Sequence, residues 1–338
     1  MSLKSFLFLS TILIITSCNT EKEKSPSGLS TESVEKIKND FPVEVIRLEK
    51  EMWENRSEQG IKTLLAKYPV FANKFIRVNE YPNPEMLMKG MSQMMNHPSI
   101  DTVYQITQKV FGDFETQKTQ LQIAGSNIRS FDSKFNMPPV YTFITGFGKD
   151  MMVTDSIIAV SLEFFLAEKC KYKPDFPVYI ARRYRPEYVA PYIISMISTK
   201  YIRTDILDNS LVSEMIFYGK MYYFLDKMLP GTPDTIITGF RKIDMEEVTK
   251  NEDVIWAHLL ENNALYETKN EITIKYIGER PNVPEIGTKC PGRIGRWLGW
   301  QIVKKYMENN DKITIQQLLA EKDAKKIFIA SKYKPKQN

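Results

Sequence analysis

The segment LVSEMIFYGKMYYFLDKML, residues 211–229, constrains this chain more than any other. It has helical length and is the most apolar helix-like stretch outside the N-terminus, so it belongs in a core. LPGTPD (229–234) ends it with Pro230 and Gly231. Inside it stands Glu214, between Val212 and Met215. A carboxylate in apolar surroundings is expensive unless it is paired, protonated or bound to a metal. Whatever this chain folds into must answer for Glu214.

A second segment supplies one answer. In CPGRIGRWLGWQIVKKYMENN, Pro291 suits the first turn of a helix. Gly292, Gly295 and Gly299 then share a strip at spacings of three and four. A glycine weakens a helix by about 1 kcal/mol relative to alanine, so three imply that something approaches this backbone closely. Arg293, Trp297 and Trp300 lie on another strip, and the tryptophans read as core. Arg293 or Arg296 is therefore expected to meet Glu214 as a desolvated ion pair between two core helices. Removing one partner of such a pair typically costs about 3–5 kcal/mol.

Metal chemistry has little to work with. The chain holds 2 histidines, His97 and His258. A zinc helix of the H-E-x-x-H kind needs two histidines four apart. In SEMIF those places hold Ser213 and Phe217. His258 and Glu261 share a helix face at i,i+3, and Glu214 can be imagined as a third ligand. The plainer reading is that His258 packs or caps and Glu261 pairs with a cation. No metal and no other cofactor is expected. Glu214, Glu261 and His258 remain as weak catalytic candidates for a hydrolase. The chain has no glycine-rich phosphate loop and no G-x-S-x-G.

The N-terminus reads MSLKSFLFLSTILIITSC. Lys4 precedes an apolar run, Phe6 to Ile15, that is short for a bilayer span and right for a signal-peptide core. Small residues then lead to Cys18, the lipobox pattern of bacterial lipoproteins. Residues 1–17 read as a signal peptide, and Cys18 as the acylated residue, carrying palmitate-type chains that together hold a membrane durably. Residues 18–40 are polar and charged and read as the lipidated cysteine and a flexible tether. Residues 41–335 read as one globular domain. Asn19, where Asp would retain the protein at the inner membrane, favours the outer membrane. A net charge of +5 says nothing about nucleic acid, and an exported location argues against it. Cys170 and Cys290 either pair in an oxidising compartment or stay as buried thiols.

Along the body, VEVIRLE (44–50) alternates like a strand. Three helical segments follow, at 61–76, 83–96 and 99–112. Met86, Met88, Met91, Met94 and Met95 fill core rather than make a sticky face. Val140–Thr145 and Ser156–Ser161 read as an antiparallel strand pair. Residues 188–202 are helical, and 244–264 read as one long helix. The basic run ARRYRPEY (181–188) and the tail SKYKPKQN read as solvated surface. The class is α+β, mostly helical, with a small sheet in the N-terminal half.

Three long stretches carry a resemblance: SLVSEMIFYGKMYYFLDKMLPGTPDTIITGF, NEDVIWAHLLENNALY and CPGRIGRWLGWQIVKKYMENND, with the lipobox start and a closing SKYKPK. They resemble the gliding-motility lipoprotein GldB family of the Bacteroidetes, over most of the mature chain. The resemblance implies a lipid-anchored envelope protein linked to gliding and to type IX secretion. It implies membrane contact through Cys18 and partners among envelope motility or secretion proteins. The family is in turn distantly similar to predicted zinc proteases. By that comparison Ser213, Glu214 and Phe217 fall on the zinc helix, and Glu261 on a third ligand. This implies a degenerate zincin-like scaffold, a pseudo-peptidase that binds a partner. The alternatives are a divergent hydrolase using Glu214 and Glu261, and a cell-wall binding module.

Overall fold

The computed structural model describes residues 30–335. The signal peptide, Cys18 and the tether as far as residue 29 lie outside the described residues. The tether was expected to reach residue 40, but a helix, α1 (Thr31–Asp40), replaces it from Thr31. Ser30 caps α1 by accepting from the Ser33 amide, and Val34 is buried. A single narrow apolar stripe in a charged sequence suffices because α1 lies on a partner helix. That partner is α6, described below, whose Gln122 amide donates to the Lys38 carbonyl at 3.1 Å.

The small sheet follows. Of the strand expected at 44–50 only β1 (Val45–Arg47) is extended, and α2 (Leu48–Glu54) takes over at once. Glu49 causes the turn inward: it is fully buried, accepting from Arg47 at 2.6 Å and from the Thr142 hydroxyl at 2.5 Å. The chain then crosses over through α3 (Glu58–Lys67), α4 (Pro84–Met95), α5 (Pro98–Phe111) and α6 (Glu115–Arg129). Asn83 caps α4 and the His97 ring caps α5. Met88, Met91 and Met95 fill core as expected, and Met86 is exposed.

The sheet order is β1-β2-β4-β3, with β2 (Val140–Phe143), β3 (Met151–Val153) and β4 (Ile158–Ser161). The pair read as antiparallel is parallel, Val140 opposite Ile158 and Phe143 opposite Ser161. The loop between them turns back as β3, and β3 is what runs antiparallel to β4. Every residue of β2 and β4 is buried, the pattern of strands covered on both faces.

The C-terminal half is helical. It runs through α7 (Val189–Ser198), α8 (Leu211–Met228), α9 (Lys242–Lys250), α10 (Glu252–Glu261) and α11 (Asn270–Ile277). The long helix expected over 244–264 is two, parted at Asn251, whose side chain turns to the Glu247 carbonyl at 2.8 Å. A two-stranded ribbon, β5 (Asn282–Val283) and β6 (Gly287–Pro291), precedes α12 (Ile294–Asn309). Pro291 thus ends a strand instead of starting the helix. Then come α13 (Ile315–Ala320) and α14 (Ala324–Ser331).

The two segments singled out first, α8 and α12, make the most extensive helix pair of the molecule. Gly219 faces the Gly299 carbonyl, and Gly299 faces the Met215 carbonyl, so closely that neither position has room for a Cβ. The close approach expected of the glycines is this crossing. Trp297 and Trp300 are core. Lys220 is buried too, its ammonium donating to the carbonyls of Arg203 and Glu321. Of the tail expected as solvated surface, Lys332 and Lys334 are exposed, but Tyr333 is buried against Trp256 and donates to Glu252 at 2.5 Å; residues 336–338 lie outside the described residues. Cys170 and Cys290 are buried and unpaired. Among the described residues no helix is long and apolar enough to cross a membrane.

Candidate functional site

One face of α8 is left uncovered by α12. Tyr218, Met221, Tyr222 and Leu225 stand there at helical spacing and form one wall of a cavity of about 180 Å³. Tyr188, Pro191 and Tyr192, at the start of α7, form the opposite wall. The floor is the segment Ile236–Gly239, and three arginines close the cavity: Arg183, Arg293 and Arg296.

The arginines converge on Glu279, in the turn between α11 and β5. Arg183 grips it with two bonds, 3.1 and 2.7 Å. Arg293 approaches to 3.6 Å and Arg296 to 3.9 Å. Burial opposes the charge of Glu279, but Arg293, Arg183 and Arg296 outweigh it and hold the carboxyl below its usual range. Arg293 sits in the left-handed region at φ 65, immediately before α12, and donates to the Gly239 carbonyl at 3.3 Å. Gly239 itself has φ 67, and a Cβ there would stand 2.5 Å from Cδ of Arg183. That glycine lets the chain pass beneath two guanidiniums. Burial pushes the Arg293 guanidinium down from its ordinary value, and it pushes the Tyr192 hydroxyl up to about 12 against the pull of Arg183 and Arg293. Tyr192 is therefore a neutral donor at any physiological pH.

The residues expected to matter fall in different places. Glu214 does not pair with Arg293 or Arg296; among the described residues its side chain makes no ion pair or hydrogen bond. The reason is the direction of the arginines. Arg293 precedes the helix, so it is out of phase with the strip on which it was placed. Arg296 donates to the Ile277 carbonyl at 2.7 Å and lies over the Tyr218 ring at 4.1 Å. Glu214 stays half-buried, one turn before Tyr218. Burial raises its pKa, with only the field of Arg296 pulling it down. His258 meets the Tyr276 hydroxyl at 3.0 Å, and Glu261 is exposed. Among the described residues no three His, Cys, Asp or Glu side chains gather to hold a metal. The donor set a zinc ion needs is not assembled around Glu214.

Arg183, Tyr188 and Glu279 were not anticipated in this cluster. The run ARRYRPEY, read as solvated, contributes Arg183 and Tyr188, both buried. Its interleaved aromatics were the available signal: Tyr184 bonds Asp150 at 2.7 Å, and Arg182 reaches Asp244 at 3.3 Å. Nothing local marks Glu279, whose role exists only once α11 and α12 are in place.

A family model described as gliding motility protein GldB matches residues 30–335, the whole of the described structure. The chain belongs to that family. Membership associates it with gliding motility and, through the family's lipoprotein character, with the cell envelope. No curated protein and no solved structure matches it.

Proposed function

We propose that this member of the GldB family is a lipid-anchored component of the gliding-motility and type IX secretion apparatus. Its part there is to hold a partner or ligand, without catalysis. Acylation at Cys18 ties it to the membrane, the outer one by the Asn19 criterion, and its partners are other envelope proteins of that machinery. The observation that carries the reading is the composition of the cavity. Arginines and tyrosines are groups of recognition, enriched where a partner is gripped. The one serine of the lining, Ser195, is committed to the Pro191 carbonyl at 2.8 Å. In this reading Ser213, Glu214 and Phe217 are the remnant of a metallopeptidase helix kept for its packing. A hydrolase built on Glu214 and Glu261 has less to stand on, because His258 is engaged with Tyr276 and Glu261 faces solvent.

The test is genetic replacement in a gliding member of the lineage. Colony spreading is measured and protein level is checked by blot. Cys18→Ala and Arg296→Gln are expected to abolish spreading at normal protein level, and Glu214→Gln with Glu261→Gln to leave it intact. The reverse, with the double carboxylate variant immobile and Arg296→Gln gliding, would replace the binding role with a catalytic one.

A further inference from the structure

The cluster around Glu279 is not electrically complete. Three guanidiniums face one carboxylate, and only Arg183 is within hydrogen-bond range of it. Each guanidinium carries five donors. Arg293, 5% exposed, uses one of them, on the Gly239 carbonyl. Arg183, 8% exposed, has its Nε buried without a partner. The hydroxyls of Tyr192 and Tyr222 have no hydrogen-bond partner among the described residues. Glu214 is too far to bond any of them and supplies only a distant field at Arg296. Buried cationic donors without a counter-charge are costly, and water alone does not neutralise them. The natural complement is an anion with several acceptor oxygens.

We propose that the cavity between Arg183, Arg293, Arg296 and Tyr192 binds an oxyanion, a carboxylate or phosphate group, at the end of a small ligand. The inference rests on reading this cavity as a binding site and names what it takes. Guanidinium groups suit both anions, planar or tetrahedral, and charge-assisted bonds to them are about twice as strong as neutral ones. The cavity is about 180 Å³, below the range of about 300–1,000 Å³ that holds a drug-sized or nucleotide-sized molecule. A head group with a short carbon body fits. Pro191, Met221, Leu225 and Ile236 supply the apolar wall for that body. Glu279 has a defined part: it holds the three arginines together when the site is empty, at the edge the ligand does not need. Gly239 lends its carbonyl to orient Arg293.

The experiment is a titration of the full chain, purified in detergent, with inorganic phosphate and separately with butyrate. Ionic strength is held constant with sodium chloride, and the readout is the thermal unfolding midpoint. A ligand that binds only the folded state raises that midpoint saturably. A saturable rise with phosphate alone identifies a tetrahedral head group, and with butyrate alone a carboxylate; either supports the proposal. Arg296→Gln is expected to weaken the response about tenfold, the loss of one charge-assisted bond. Because that change also removes a bond to Ile277, Tyr192→Phe is the gentler probe; it deletes one hydroxyl donor and is expected to weaken binding severalfold. No saturable rise with either anion overturns the proposal, and so does a rise that both variants leave unchanged. If neither anion binds while Arg296→Gln still stops gliding, the oxyanion is struck out and the partner-binding role survives.

Discussion

The crossing of α8 and α12 allows a test in which two identical chemical changes must give opposite signs. Gly299→Ala places a Cβ against the carbonyl oxygen of Met215, well inside the 3.0 Å that real Cβ contacts respect. The obstacle is backbone, so no side chain can swing aside. The helices must part, and Met215, Ile216, Leu298 and Trp300, each buried at this seam, lose contact as they do. Overpacking a close-packed core costs about 1–3 kcal/mol, and a gap of even an ångström forfeits about half of each flanking dispersion contact. The top of that range applies, about 3 kcal/mol. Alanine returns about 1 kcal/mol of helix propensity, leaving a net loss of about 2 kcal/mol or more. Gly90, inside α4, has nothing within 4 Å of its Cβ position. There only the propensity gain operates, so Gly90→Ala should stabilise by about 1 kcal/mol. In a thermal melt of a domain this large the first variant should lose about 3 °C or more, and the second should gain about 1.5 °C. If Gly299→Ala melts with the parent or above it, the two backbones are not in contact and the account of the core is wrong.

Glu279→Gln removes the carboxylate that gathers three arginines. One third of Glu279 is exposed, so the loss in urea unfolding should fall below the full buried-pair figure, at about 2–3 kcal/mol. The exposed Glu261→Gln should stay within about 0.5 kcal/mol of the parent. Glu163 is buried and takes bonds from the Thr145 amide, the Thr145 hydroxyl and the Phe147 amide on one oxygen, while its other oxygen has no partner. Burial outweighs those bonds and pushes its pKa up from 4.5 to about 7. The folded state therefore holds this proton more tightly than the unfolded one. The associated stability is complete below pH 4.5 and is lost as pH rises to about 7. Glu163→Gln keeps the accepting oxygen and cannot ionise, so its melting point should fall less than the parent's over that window; parallel curves would refute the assignment. Burial pushes the Cys290 thiol up to about 12, and Cys170 is 2% exposed. Ellman's reagent should find neither in the native chain and both after denaturation.

Long, strongly apolar elements were legible in the sequence. The helix read over 211–229 is Leu211–Met228, and the glycines of the last long helix do mark a close approach. What escaped was geometry decided at a distance. Placing Arg293 on a strip with Trp297 assumed a helix already running at residue 293, but the chain is left-handed there and the side chain leaves in another direction. Arginines in a basic run read as solvated because charge is usually exposed; Arg183 is buried because Glu279, far along the chain, meets it. The two inner strands look alike whether parallel or antiparallel. What decides it is the register, Val140 opposite Ile158 and Phe143 opposite Ser161, which exists only in the folded chain.

The parallel pairing of β1 with β2 has a consequence for how the chain acquires its shape. Residues 48–139 lie between the two strands, so β1 waits for that whole stretch to be made before its partner exists. Non-local pairings of this kind close late, because the entropy of the intervening loop is lost before the contact returns anything. Of the crossover helices, α3 and α4 pack on each other and can form while β1 is unpaired, whereas α5 and α6 also pack on segments beyond residue 160. Glu49 gains its last bond only when the Thr142 hydroxyl arrives to donate to it. A fragment ending before residue 140 therefore has no sheet for β1 to join.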